Sequence, residues 1–117
     1  MDNYIHFIYN NENVVWVKQV KKLINVVYKF TFDEKVGDAY MYIGSKSNCR
    51  VENNRIIDRF GKEYKTSATD INVKRLIRTR KYKLEILFES ECRREMVDYE
   101  NKMHRDNNVV NSTEYYN

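Results

Sequence analysis

The sequence predicts a small α+β domain: a three-stranded, mostly antiparallel sheet flanked by helices, with an inserted basic hairpin and an N-terminal strand/helix extension. Three observations carry this. Residues 26–32 and 40–45 are apolar and aromatic runs, separated at hairpin distance by a stretch that holds Gly37 and Asp38. Tyr82, Leu84, Ile86 and Phe88 recur at every second position, as on a strand with one buried face. Two further segments, around Val73, Leu76 and Ile77 and around Met96, Tyr99 and Met103, repeat at helical spacing.

Residues 4–9 alternate weakly and read as a short strand. Asn10, Asn11 and Asn13 interrupt it and are helix-capping residue types. Over 12–24, Val17, Val20 and Ile24 recur at helical spacing with Lys18, Lys21 and Lys22 on the other side, so a helix is expected there. Residues 1–25 then form an extension packed on a core domain of residues 26–117. The core opens with strand 26–32, turns over 33–38 and returns over 40–45. Residues 51–65 read as a second, basic hairpin through Phe60 and Gly61. Thr69 or Asp70 caps a helix over 71–80, with Lys74, Arg78 and Lys81 on its wet side. Strand 82–88 follows. Ser90 then starts a helix to about residue 105, whose buried stripe is Cys92, Met96, Tyr99 and Met103, with Glu100 at its edge.

The chain has 117 residues, 42% hydrophobic and 32% charged, which suits one folded domain with one core. No apolar run approaches the ~20 residues that span a bilayer. The start, Met1-Asp2-Asn3, lacks a signal peptide's basic and apolar regions. An intracellular protein without a membrane partner is expected. Cys49 and Cys92 are too few for a disulfide framework. With His6 and His104 they show no zinc-type spacing, so a zinc site is not expected. The net charge is +4. Residues 50–83 carry eleven Lys/Arg against four acids, whereas the rest of the chain has ten against thirteen. A basic block inside an otherwise acidic chain points to a polyanionic partner.

Tyr28-Lys29-Phe30, then Tyr42-Ile43-Gly44 across a hairpin, then Glu100 on a helix and a final Tyr115-Tyr116-Asn117 resemble the GIY-YIG nuclease domain. The likeness is to its small phage-type and homing-endonuclease-like members, and it covers residues 26–117. The motifs are short, and their order and spacing carry the resemblance. Two departures stand out: Val26 occupies the position of the first motif's glycine, and the stretch from Tyr28 to Tyr42 is longer than the compact form.

The resemblance implies a metal-dependent endonuclease that hydrolyses DNA phosphodiesters in the host cytoplasm of a phage. Glu100 would hold Mg²⁺ or Mn²⁺. Tyr28 and Tyr42 would position or deprotonate the attacking water; a phenol has an ordinary pKa near 10, so the second role needs a nearby cation. The family's catalytic arginine lies on a helix after the second motif, where this sequence reads as a hairpin; Arg50 is the nearest candidate, with Arg55 next and Arg75 an outside one. Gly44 would let substrate or backbone approach, and Asn117 would support the site. His104, four residues after Glu100, shares its helix face. Lys46, Lys74, Arg75, Arg78 and Lys81 would track the nucleic-acid backbone. The alternative is the same scaffold with a decayed site, binding nucleic acid or a host protein without cutting. A third possibility is RNA, with Phe60 and Tyr64 as stacking surfaces.

Overall fold

A computed structural model describes residues 4–9, 13–66 and 70–116. Strands β1 (Tyr4–Tyr9) and β2 (Asn13–Lys18) form a two-stranded antiparallel ladder. Strands β3 (Val20–Val36), β4 (Ala39–Glu52), β5 (Arg55–Asp58) and β6 (Tyr82–Ser90) form a four-stranded antiparallel sheet in the order β5-β4-β3-β6. Helix α1 (Ile71–Thr79) leads into β6, and α2 (Arg93–Asp106) follows it. The α+β class and the antiparallel sheet are as the sequence predicts. The sheet has four strands rather than three.

The extra strand arises because β4 continues to Glu52. It turns through Asn53 and Asn54, both left-handed at φ 51° and 60°, the pattern of a two-residue hairpin. β5 then pairs back on Cys49–Glu52. The remainder of the expected basic hairpin is a short return held by the Ile57–Glu63 bridge. The β3–β4 hairpin is tighter than expected, with Val36 opposite Ala39 and only Gly37 and Asp38 in the loop. Gly37 has φ +63°, which a glycine adopts freely.

The expected helix over 12–24 is absent, since β2 and β3 occupy that stretch. Val17, Val20 and Ile24 are buried as a set. Register shifts between Val20 and Ile24 and between Ile24 and Val26 break the two-residue alternation. Bulges therefore produce a burial spacing that mimics a helix. The β-branched valines of this stretch favour the extended form. The proposed caps Asn10 and Asn11 lie outside the described residues.

The sheet buries both faces. On one, Val26, Tyr28, Phe30 and Tyr42 pack with Val73, Leu76 and Ile77 of α1. On the other, Val27, Met41 and Ile43 pack with Met96 of α2 and with Val109 and Tyr115 of the tail. Asp70 caps α1, accepting the Asn72 N–H at 2.8 Å. Cys92, expected in the buried stripe of α2, is instead its exposed N-cap residue. Ser90 serves this end from two residues earlier, accepting the Cys92 N–H and donating to Glu95. The tail runs back beside β4, with Tyr115 bridged to Met41.

Candidate functional site

The outer edge of β4 is covered at both ends, by the tail at Met41 and by β5 from Cys49. Among the described residues, no strand pairs with the edge between them. This stretch, residues 44–48, is where the sequence-predicted side chains gather.

Tyr28 lies opposite Gly44 and Phe30 opposite Tyr42 in an unslipped part of the ladder. Both tyrosines therefore point to the α1 side, with ring centroids 6.3 Å apart. Gly44 makes that possible. A Cβ there would stand 2.6 Å from the Tyr28 hydroxyl oxygen and 2.9 Å from a Tyr42 ring carbon. The Tyr28 hydroxyl donates to Thr66 Oγ1 at 3.4 Å. Tyr28 is 1% exposed and Tyr42 is 9%. Burial, first of all, pushes both phenols above their ordinary pKa, and the Glu100 charge adds to the rise, while the Thr66 hydroxyl opposes it.

Glu100 approaches from the α2 side. Ser45 Oγ donates to its Oε1 at 2.8 Å. His104, one turn on, places Nε2 3.8 Å from Glu100 Oε2 and 3.1 Å from the Ile43 carbonyl. A carbonyl only accepts, so Nε2 carries the proton of that bond. Ile43 and Ser45 thus anchor the helix face that presents Glu100. The sheet separates acid from phenols, yet the Glu100 charge acts on both rings.

Beside Glu100 lies an open groove of about 540 Å³, walled by residues 45–48 of β4 and by Arg93, Met96 and Val97 of α2. Its charged side chains are Glu100, Lys46 and Arg93. A second groove of about 230 Å³ shares Lys46, Ser47 and Asn48 and is closed by Asp58, Arg59 and Phe60. Lys46 reaches across to the Tyr64 ring, 4.7 Å from its centroid. Tyr64 in turn lies near enough to influence both buried phenols.

The arginines sit elsewhere. Arg50 is half-buried on β4, with Nε 3.5 Å from Glu52 Oε1 but without hydrogen-bond geometry. Arg55 is exposed at the start of β5. Arg75 is bound to Glu34 at 2.7 Å. Lys74, Arg78 and Lys81 are exposed on or beside α1, in the layer facing away from α2. Asn117 lies outside the described residues. Sequence reasoning did not single out Ser45, Thr66 or Arg93. Ser45 directly follows the Tyr42-Ile43-Gly44 run, a usable signal. Thr66 and Arg93 have none beyond their fold position.

Glu100 is the one carboxylate of the larger groove. Among the described residues, no three His, Cys, Asp or Glu side chains come together. That donor set fits Mg²⁺ or Mn²⁺ held by one carboxylate and water, since Mg²⁺ keeps much of its hydration. It does not fit a zinc site of three or four protein ligands.

Among the described residues, no helix is long and apolar enough to cross a membrane. No family model matches the chain, and no solved structure matches it. It is similar to an uncharacterized 24.6 kDa protein in the Gp32–Gp59 intergenic region of Enterobacteria phage T4. Identity is 32% over 97 residues, which is 80% of this chain and 46% of that protein. The chain therefore spans about half the length of the curated relative it matches.

Proposed function

We propose that the chain is a phage-encoded, metal-dependent endonuclease that hydrolyses DNA phosphodiesters with a GIY-YIG-type site. One observation carries the reading. Gly44 lets the Tyr28 and Tyr42 rings stand together beside an unpaired stretch of the β4 edge, and the next residue along, Ser45, donates to Glu100. Similarity to a phage protein supports the phage setting.

In this reading Glu100 holds Mg²⁺ or Mn²⁺, with Ser45 fixing one of its oxygens. When bound, the metal supplies a Lewis acid for the phosphate and the leaving oxygen. Neither phenol lines the Glu100 groove; Tyr42, the less buried of the two, would orient the attacking water only by reaching it round the unpaired β4 edge at Gly44, with Tyr28 packed behind it. Their raised pKa keeps both rings protonated at neutral pH, so orientation is their main task until a cation approaches. Lys46 and Arg93 line the groove and neutralise phosphate oxygens there. Arg50 would join only by leaving Glu52, and Arg55 only by reaching in from the β4–β5 turn. His104 holds the helix, since its Nε2 proton is committed to Ile43. Lys74, Arg75, Arg78 and Lys81 contribute general attraction, which weakens steeply with salt.

The test is nicking of supercoiled plasmid in Mg²⁺. Wild-type protein is expected to nick, and Glu100→Ala to lose the activity. Nicking that persists in Glu100→Ala sinks the assignment. A second reading, a decayed binder, draws on the buried phenols and on the pairing of Arg50 with Glu52. It is favoured if calorimetry finds no Mn²⁺ binding while DNA binding remains.

A further inference from the structure

Phe60 is 74% exposed, on the turn that follows β5. The turn is rigid. The Asp58 carboxylate accepts the Phe60 N–H at 2.8 Å and the Lys62 N–H at 3.0 Å. The Gly61 N–H bonds the Asp58 carbonyl, and the Asp58 N–H bonds the Lys62 carbonyl. Gly61 takes φ +84°, which few other residues adopt. These bonds, the Lys62 N–H first, lower the Asp58 pKa and keep it ionised, so the groove holds one carboxylate beside Lys46 and Arg59. Arg59 stands over one side of the Phe60 ring, its guanidinium carbon 4.8 Å from the centroid.

The ring edges the smaller groove, whose floor is the same Lys46-Ser47-Asn48 segment that walls the groove at Glu100. At about 230 Å³, that space falls below the ~300 Å³ where sites for whole small ligands begin. It suits a single planar ring attached to a strand that continues elsewhere. A fixed aromatic beside a cationic channel is the arrangement that takes an unstacked base, because every base has a π-face.

We propose that Phe60, backed by Arg59, stacks on an unpaired base of a DNA strand whose phosphates run over Lys46 into the Glu100 groove. The inference rests on the DNA-directed reading above and narrows it: the preferred substrate is DNA carrying a bulged or unpaired nucleotide. Ser47 and Asn48 then meet the sugar-phosphate link between the two grooves, and the duplex on either side makes only backbone contacts.

The experiment uses the full chain in EDTA, so binding is measured without cleavage. The probes are a 25-base-pair duplex with one bulged 2-aminopurine and its fully paired counterpart. Wild-type protein is expected to bind the bulged probe about tenfold more tightly, with the fluorescence of 2-aminopurine quenched on binding. Phe60→Ala should lose both preference and quenching while keeping its affinity for paired DNA; Phe60→Trp should keep both. Equal wild-type affinity for the two probes, or a preference that survives Phe60→Ala, overturns the proposal. So does light scattering that shows a wild-type dimer split by Phe60→Ala, which would make the ring a protein contact. A chain that shows the Phe60-dependent preference but never nicks plasmid in Mg²⁺ removes the hydrolytic reading and leaves this one standing.

Discussion

Gly44 and Tyr28 face each other across β3 and β4 so closely that a methyl group on Gly44 would stand 2.6 Å from the phenol oxygen and 2.8 Å from the ring carbon bearing it. The glycine is needed for space and not for backbone freedom, since Gly37 and Gly61 are the glycines at positive φ. Gly44→Ala should therefore push Tyr28 off its rotamer and cost about 1–3 kcal/mol, the usual range for overpacking. Urea unfolding measures this. A Gly44→Ala protein as stable as wild type would show that the ring yields freely.

Lys46 and Lys74 separate local from general attraction. Lys46 lines both grooves, whereas Lys74 lies exposed on α1. If phosphates follow the grooves, Lys46→Ala should lower the slope of log affinity against log salt by about one. Lys74→Ala should change it less. Fluorescence anisotropy across a salt series reads both, and equal slopes for the two variants would put the DNA elsewhere.

Alkaline pH should unfold the chain by way of its buried phenols. Burial raises the pKa of Tyr28, Tyr42 and Tyr82 in the folded state. The unfolded chain then releases these protons first, from pH ~10 upward. Their contribution to stability is full below that pH and declines as pH rises toward the folded-state values. Denaturation midpoints should hold steady to about pH 9 and then fall. Tyr28→Phe, which has no proton to release, should fall more gently.

The two thiols should react at very different rates. Burial pushes the Cys49 thiol up to about 12, while Cys92 is exposed at the start of α2. At pH 8 a disulfide reagent should modify Cys92 promptly and Cys49 only in denaturant. Fast reaction of both would mean that the core around Val51 and Ile24 opens readily.

Helix α1 and strand β6 were legible because their signals are local: Asp70 caps, Val73, Leu76 and Ile77 share one side, and Tyr82 and Leu84 alternate. The β3–β4 hairpin was legible for the same reason, but the pairing of Tyr28 with Gly44 was not, since it depends on a turn at Gly37 and Asp38 tighter than the 33–38 turn the sequence suggests. The N-terminal strands were not legible. Bulges are tertiary compromises, and those beside Ile24 spaced buried residues as a helix would. The strand at 55–57 was legible as part of a 51–65 hairpin, but its partner was not: it pairs back on Cys49–Glu52 through the Asn53–Asn54 turn. The site divided the same way. Glu100 and His104 follow from helical spacing, whereas the pairing of Arg50 with Glu52 and the reach of Thr66 to Tyr28 depend on folding of the whole chain.

The bare edge of β4 has a cost outside the site. Unpaired amide and carbonyl groups in a row invite a strand from another molecule, the first step of sheet-to-sheet aggregation. Here Asn48, at φ 50°, kinks the row out of the extended form, and Lys46 adds a charged side chain to it. The same two residues that shape the grooves therefore make this edge a poorer template for another strand.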